Sequence, residues 1–181
     1  MHGIIHSELK KYVTTKLGAE AWNKLVAEAG LGGKVYLPNQ AYPDADALAL
    51  VTTASKITGL PAGAILEDFG EFIAPDLMTM YASHVNPSWK TLEMLENTEQ
   101  TIHRVVRARD KTAKPPELSV KRTGPNAVMI HYGSARKMCG VAKGIAKGLA
   151  KHYKQEITVS DKKCMLKGDP ACEIEVAVTR N

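Results

Sequence analysis

Through the N-terminal half, apolar residues recur at three- and four-residue spacing. Ile4, Ile5, Leu9, Tyr12 and Val13 form one stripe, stopped by Gly18, and Ala21, Trp22, Leu25 and Val26 form a second. Asp44 stands where it can cap a third helix, which carries Leu48, Val51 and Ile57 and ends near Gly59-Leu60-Pro61. Two short helical pieces are expected next, Ala64 to Phe69 and Pro75 to Tyr81. A longer amphipathic helix then runs from about Ser88 to Arg109, with Leu92, Leu95, Ile102 and Val106 on its apolar side.

Lys114-Pro115-Pro116 breaks this pattern, and the period changes after it. Val128, Ile130 and Tyr132 alternate with Met129 and His131. Ile157 and Val159 flank Thr158, and Cys172, Ile174, Val176 and Val178 alternate with Glu173, Glu175 and Ala177. These are strands with one covered face. A helix from Ser134 to about His152 separates them, with Met138, Val141, Ile145 and Leu149 on one face and Lys143, Lys147, Lys151 and Lys154 near the other. The expected class is α+β, a helical N-terminal part followed by a mixed part with a small antiparallel sheet.

At 181 residues, 44% hydrophobic and 24% charged, the chain is an ordinary globular domain. Its longest aliphatic run, Ala47 to Val51, is too short to span a bilayer, and the N-terminus lacks the apolar core of a secretory signal. The expectation is a cytoplasmic protein with no membrane association, whose three cysteines are thiols or metal ligands. Charge is uneven: 7 Lys and Arg against 9 Asp and Glu through residue 90, then 17 against 10. A basic second half suits an anionic ligand or an acidic partner. With aromatics at 6% and no interleaving with arginine, nucleic acid is not expected.

Three constellations can carry chemistry. Tyr132-Gly133-Ser134-Ala135-Arg136 lies at a strand-to-helix junction, where a phenol, a hydroxyl, a guanidinium and free helix N–H groups converge as a receptor for a carboxylate or phosphate. His103, beside Ile102 and Val106 on the inner side of its helix, is a candidate metal or haem ligand, and His84 is a weaker one. Cys139, Cys164 and Cys172 form the third, the last two brought together by a turn at Gly168-Asp169-Pro170. Three thiolates and one further ligand make a zinc site, and the same thiols are also a candidate redox switch. No nucleophile elbow, phosphate-binding glycine loop or acid/base carboxylate pair is present, so an enzyme is not expected.

The order His103, Pro115-Pro116, Tyr132-x-Ser134-x-Arg136 resembles the H-NOX family of haem nitric-oxide/oxygen-binding domains, in its bacterial stand-alone form. The opening Met1-His2-Gly3-Ile4-Ile5 and the chain length are also similar to that family. The resemblance implies one domain over residues 1–181 holding haem b between a distal helical subdomain, 1–60, and a proximal mixed subdomain, 61–181. It implies His103 as the proximal iron ligand, Tyr132, Ser134 and Arg136 on the haem propionates, and Pro115 against the macrocycle. Oxygen-binding members carry a tyrosine one turn beyond the motif arginine and a tryptophan on the first helix; Val141 and Leu9 stand at those positions here. Ile5, Leu9, Val141 and Ile145 would then line an apolar distal pocket without a hydrogen-bond donor. The implied function is a sensor of NO, binding CO in vitro and excluding O2. Ligand binding opposite His103 would release its helix, and a separate histidine kinase or cyclic-di-GMP enzyme would read the shift. Some members hold zinc through cysteines placed like these, with a histidine as fourth ligand. Asp161 stands at that position here, and His131 is a spare candidate. The alternatives are a zinc/thiol redox sensor on the same fold, or a carrier of another small carboxylated ligand.

Overall fold

The computed structural model describes residues 1–111 and 113–180. Four helices come first: α1 (Gly3–Leu17), α2 (Ala19–Glu28), α3 (Asp44–Thr58) and α4 (Ala62–Met80). α5 (Thr91–Thr98) runs through a π-helical turn at Glu99–His103 into α6 (Arg104–Arg109). Strands β1 (Glu117–Gly124) and β2 (Ala127–Gly133), helix α7 (Cys139–His152), and strands β3 (Glu156–Lys163) and β4 (Cys172–Arg180) complete the α+β chain. The sheet is antiparallel throughout, in the order β1-β2-β4-β3.

The helices form as their spacing predicts, with five differences. In α3 the buried apolar residues are Ala47, Leu50 and Val51, while the expected Leu48 and Ile57 are exposed. Asp44 opens α3 without capping it: Pro43 holds the cap position, and the Asp44 carboxylate is taken by other partners. The two short pieces expected between residues 64 and 81 are one helix, α4, with Pro75 inside it. A proline interior to a helix costs about 3 kcal/mol. Phe69, Ile73 and Ala74, all buried beside it, offset that cost. β1 has no counterpart in the expected strands, because its Leu118 and Val120 are only half-buried among Glu, Ser, Lys and Arg at the sheet edge. Finally, α7 begins at Cys139, five residues after Ser134. Residues 134–138 form a turn in which Lys137 adopts φ +52°, and no helix continues through a residue in that conformation.

Among the described residues, the two larger apolar cores lie on either side of the α4–α7 pair, beside a third, small cluster of Ala47, Val51, Leu66 and Met138. Leu9, Val13, Trp22, Leu25, Leu50, Phe69 and Ile73 fill the N-terminal core. Leu92, Leu95, Ile130, Tyr132, Leu149, Ile174 and Val176 fill the one beneath the sheet. α4 and α7 meet backbone to backbone. A Cβ on Gly144 would run into the Glu67 carbonyl, one on Gly70 into the Val141 carbonyl, and one on Gly140 would lie 2.8 Å from the Gly63 oxygen. The lysine stripe of α7 is not an open basic face. Lys143 pairs with Glu67 (3.6 Å) and Asp161 (3.0 Å), Lys147 with Glu67 (2.5 Å), and Lys151 with Glu71. These pairs flank the glycine contact. Among the described residues, no single helix is long and apolar enough to cross a membrane.

Gly144→Ala should therefore destabilise the fold by about 1–3 kcal/mol through overpacking. Gly63→Ala, where a Cβ meets nothing within 4 Å, should be neutral or slightly stabilising. Paired thermal melts check this contrast, with about 2–4 °C expected per kcal/mol at this size.

Candidate functional site

His103 closes the π turn with its side chain largely buried. Its Nδ1 lies 2.8 Å from Glu99 Oε2, one helical turn earlier. An ionised carboxylate only accepts, so Nδ1 carries the proton, and Nε2 of the neutral ring keeps its lone pair. Burial lowers the His103 pKa against the opposing pull of Glu99, which keeps the ring neutral near pH 7. That is the form in which imidazole binds a metal. Glu99 also takes the Arg107 guanidinium on Oε1 and, at 3.4 Å on Oε2, the Leu118 amide at the start of β1. Its carboxyl lies below the usual range: burial pushes it up, but the hydrogen bonds from Arg107 and His103 outweigh that. His84 lies instead in a short 3-10 turn, Ala82–His84.

Tyr132, Ser134 and Arg136 are brought together as expected, on a turn instead of a helix N-terminus. The Arg136 amide donates to Ser134 Oγ (3.3 Å), and the Lys137 amide to the Ser134 carbonyl (3.0 Å). Burial raises the Tyr132 phenol pKa, while the Ser134 hydroxyl and the Arg136 charge pull it back. The Arg136 guanidinium already holds a carboxylate: Nη1 lies 3.3 and 3.4 Å from the two oxygens of Asp44, and Nη2 donates to the Lys114 carbonyl. The Met1 ammonium sits 2.5 Å from the same Asp44. Two cations share one anion at the rim of a cavity of about 250 Å³, also lined by His2, Tyr42 and Lys114. The excess positive charge favours a further carboxylate. Pro115 lies half-buried in the adjoining extended segment.

Ile5 and Leu9 of α1 and Val141 and Ile145 of α7 belong to one apolar cluster. The tyrosines at its margin have their hydroxyls committed, Tyr12 to Asp68 and Tyr36 to Asp46 at 3.1 Å. The hydropathy stripes give no sign of His6, which is 1% exposed and stacked on Tyr36 with ring centroids 4.3 Å apart.

Cys139, Cys164 and Cys172 are buried, with sulfurs all within 4.8 Å of one another; Cys164 lies 3.9 Å from each of the others. Zinc–sulfur bonds of about 2.3 Å place tetrahedral sulfurs about 3.8 Å apart, so the triangle is the right size for zinc. Burial, then the neighbouring thiols, push Cys139 up to about 12, and burial raises Cys172 as well. Asp161 is not in this group, since its carboxylate pairs with Lys143 on the β3 surface. His131 faces Glu173 at 4.0 Å.

The chain matches the family described as "Haem-NO-binding" over residues 2–161. It is 24% identical over 158 residues to the soluble guanylate cyclase gcy-32 of Caenorhabditis elegans. That match covers 83% of this chain but 23% of the cyclase, so the chain spans about a quarter of this curated relative. The fold superimposes on an H-NOX protein from S. oneidensis in the Fe(II)NO ligation state at a TM-score of 0.92 and 23% identity, covering 99% of this chain and all of that one. The unliganded Fe(II) H-NOX protein from K. algicida gives 0.88 and 23%, covering 100% and 98%.

Asp44 ties the N-terminus to the arginine turn, and the sign of its pH effect follows. Burial raises its pKa, but the Met1 ammonium and Arg136 outweigh that and hold it below its ordinary 3.8. A depressed carboxylate contributes stability above its unfolded pKa and loses it as pH falls through the folded one. Urea midpoints measured from pH 6 down to pH 2.5 should show an acid loss in the wild type that is smaller in Asp44→Asn.

Proposed function

The chain belongs to the Haem-NO-binding (H-NOX) family, a haem-based gas-sensor fold, and on that premise we propose that it senses nitric oxide, excludes O2 and regulates a signalling partner. The family is a ligand-binding one and not catalytic. Haem, when bound, supplies the iron at which a gas binds. Everything else falls to the chain. His103 would hold the iron through Nε2, the nitrogen that its bond to Glu99 leaves free to accept. Arg136, Ser134 and Tyr132 would take the propionates, with Arg136 offering a guanidinium whose Nη1 already holds a carboxylate. Pro115 would bear on the ring from the segment between them.

The observation that carries the gas preference is the apolar cluster of Ile5, Leu9, Val141 and Ile145. Bound O2 accumulates negative charge and needs a donor, whereas NO does not. Tyr12 and Tyr36 are engaged by carboxylates. The long helix carrying His103 is joined to β1 through Glu99 and Leu118. A change at His103 therefore reaches the sheet, and a histidine kinase or cyclic-di-GMP enzyme would read it there.

Zinc on Cys139, Cys164 and Cys172 is a second reading, supported by the thiol triangle. Three neighbouring unpaired thiols also suit a reducing compartment such as the cytoplasm. Asp161 would have to leave Lys143 to complete the set.

Two experiments test these readings. The Soret absorbance of the reduced protein should shift on adding NO, stay unshifted when O2 is first admitted, and be lost in His103→Gly until imidazole is supplied. An O2 complex would overturn the gas preference, and absence of haem after reconstitution would overturn the sensor. Zinc added at pH 7 should release protons from thiols that burial keeps protonated. The release should vanish in Cys139→Ser; unchanged proton release there would remove these cysteines from the site.

A further inference from the structure

Among the described residues, Glu99 is the carboxylate on the His103 ring, and its two oxygens are divided between partners of different kinds. Oε2 accepts from His103 Nδ1 at 2.8 Å, with the Leu118 amide at a longer 3.4 Å. Oε1 carries the Arg107 guanidinium. All three side chains lie on one helical segment, Glu99 and His103 within the π turn and Arg107 one turn further on. π turns recur where a helix has to present a functional group out of the regular register.

We propose that Glu99 is a positioning residue that sets the strength of the bond His103 makes to iron, and that Arg107 moderates it. This rests on the haem reading above and adds what it leaves open, the strength of the proximal bond. A carboxylate accepting from the far ring nitrogen draws that proton towards itself. The ring then gains imidazolate character, and Nε2 becomes the better donor to a metal. The same bond fixes the tautomer and the ring plane. Arg107 acts in the opposite sense. By neutralising Oε1 it makes the carboxylate a weaker acceptor, so His103 receives only part of the available pull. Glu99 is thus a graded control on the ligand, with Arg107 as its counterweight.

This arrangement has a consequence for release. Oε2 serves His103 and Leu118 together, so movement of the ring leaves the oxygen to the Leu118 amide alone. The start of β1 then gains the partner that the ring gives up. Tight binding at His103 and a tight Glu99–Leu118 contact compete for one oxygen.

The test uses the haem-loaded protein and resonance Raman spectroscopy of the reduced, unliganded state. The iron–histidine stretching band is first assigned by its loss in His103→Gly. Glu99→Gln keeps the shape of the side chain and removes its charge, and should move the band to lower frequency. Arg107→Gln frees Oε1 and should move it to higher frequency. Displacement of His103 by added imidazole should become about tenfold faster in Glu99→Gln, the lower end of what loss of a supporting carboxylate does to a metal ligand. A residue that merely holds the helix together would not give shifts of opposite sign. If Glu99→Gln fails to fold, the upward shift in Arg107→Gln still decides the matter. A band unmoved in either folded variant at full haem content overturns the proposal. A band that survives His103→Gly, or a wild type that takes up no haem, overturns the haem reading itself and this proposal with it. The two failures are distinguished by the wild-type and His103→Gly spectra.

Discussion

The backbone contact between α4 and α7 is the constraint on which the rest of the molecule depends. Gly70 on one helix and Gly140 and Gly144 on the other leave no room for a Cβ, so the axes are drawn together until carbonyl oxygens limit the approach. At that distance Glu67 and Glu71 can reach the lysines of α7, which would otherwise be a stripe of like charge. The pair becomes a single wall shared by two cores. Phe69 and Ile73 look into the N-terminal cluster, and Ala146 and Leu149 into the cluster beneath the sheet. Val141 and Ile145 touch the N-terminal cluster only because α7 lies this close to α4, which brings them to the same apolar volume as Ile5 and Leu9.

How much of this is legible in the sequence depends on how far each feature reaches along the chain. The helices and the three strands around Ile130, Val159 and Ile174 are local patterns, and the structure has them, although α3 buries Ala47 and Leu50 in place of the expected Leu48 and Ile57. The π turn is invisible to a hydrophobic period, because Leu92, Leu95 and Ile102 keep their face through it. Pro75 reads as a helix start in isolation, and only the burial of Phe69, Ile73 and Ala74 shows why the helix runs through it. β1 is unreadable for the opposite reason, since an edge strand with polar residues on its open side has too weak an alternation to register.

The site divides along the same line. Tyr132, Ser134 and Arg136 are near in sequence, and their convergence is readable, although the turn at Lys137 denies them a helix N-terminus. The Arg136 partner Asp44 is 92 positions away, and no local pattern announces it. Glu99 is different. It precedes His103 by one helical turn, the spacing at which side chains meet, so it could have been found by asking what orients the ring instead of what the ring binds. The lysines of α7 show the same dependence on a distant partner. Charges that look solvated in sequence are paired once their neighbouring helix is known.

The two ends of the site are also held differently, and the difference bears on how a signal could travel. At the arginine turn the contacts are long-range and electrostatic. Met1 and Arg136 meet at Asp44, Gly3 donates to the Gln40 carbonyl at 2.6 Å, and His2 lies 3.5 Å from Asp110 at the end of α6. The first three residues are therefore fastened to α3, to the loop before it and to the end of the His103 helix. Because Arg136 has one guanidinium, any carboxylate that engages it competes with Asp44, and the competition is felt at the start of α1, which carries Ile5 and Leu9. At His103 the contacts are mostly short-range along one helix, with links to Leu118 of β1 through Glu99 and to the Pro116 backbone before it. A carboxylate taken at the turn would thus bear on the apolar cluster through α1, while a metal held by His103 would bear on the sheet through Glu99. The α4–α7 wall between them is too closely packed to deform by small amounts. A displacement at either end would therefore meet a wall whose backbone-to-backbone packing leaves α4 and α7 no room to approach further.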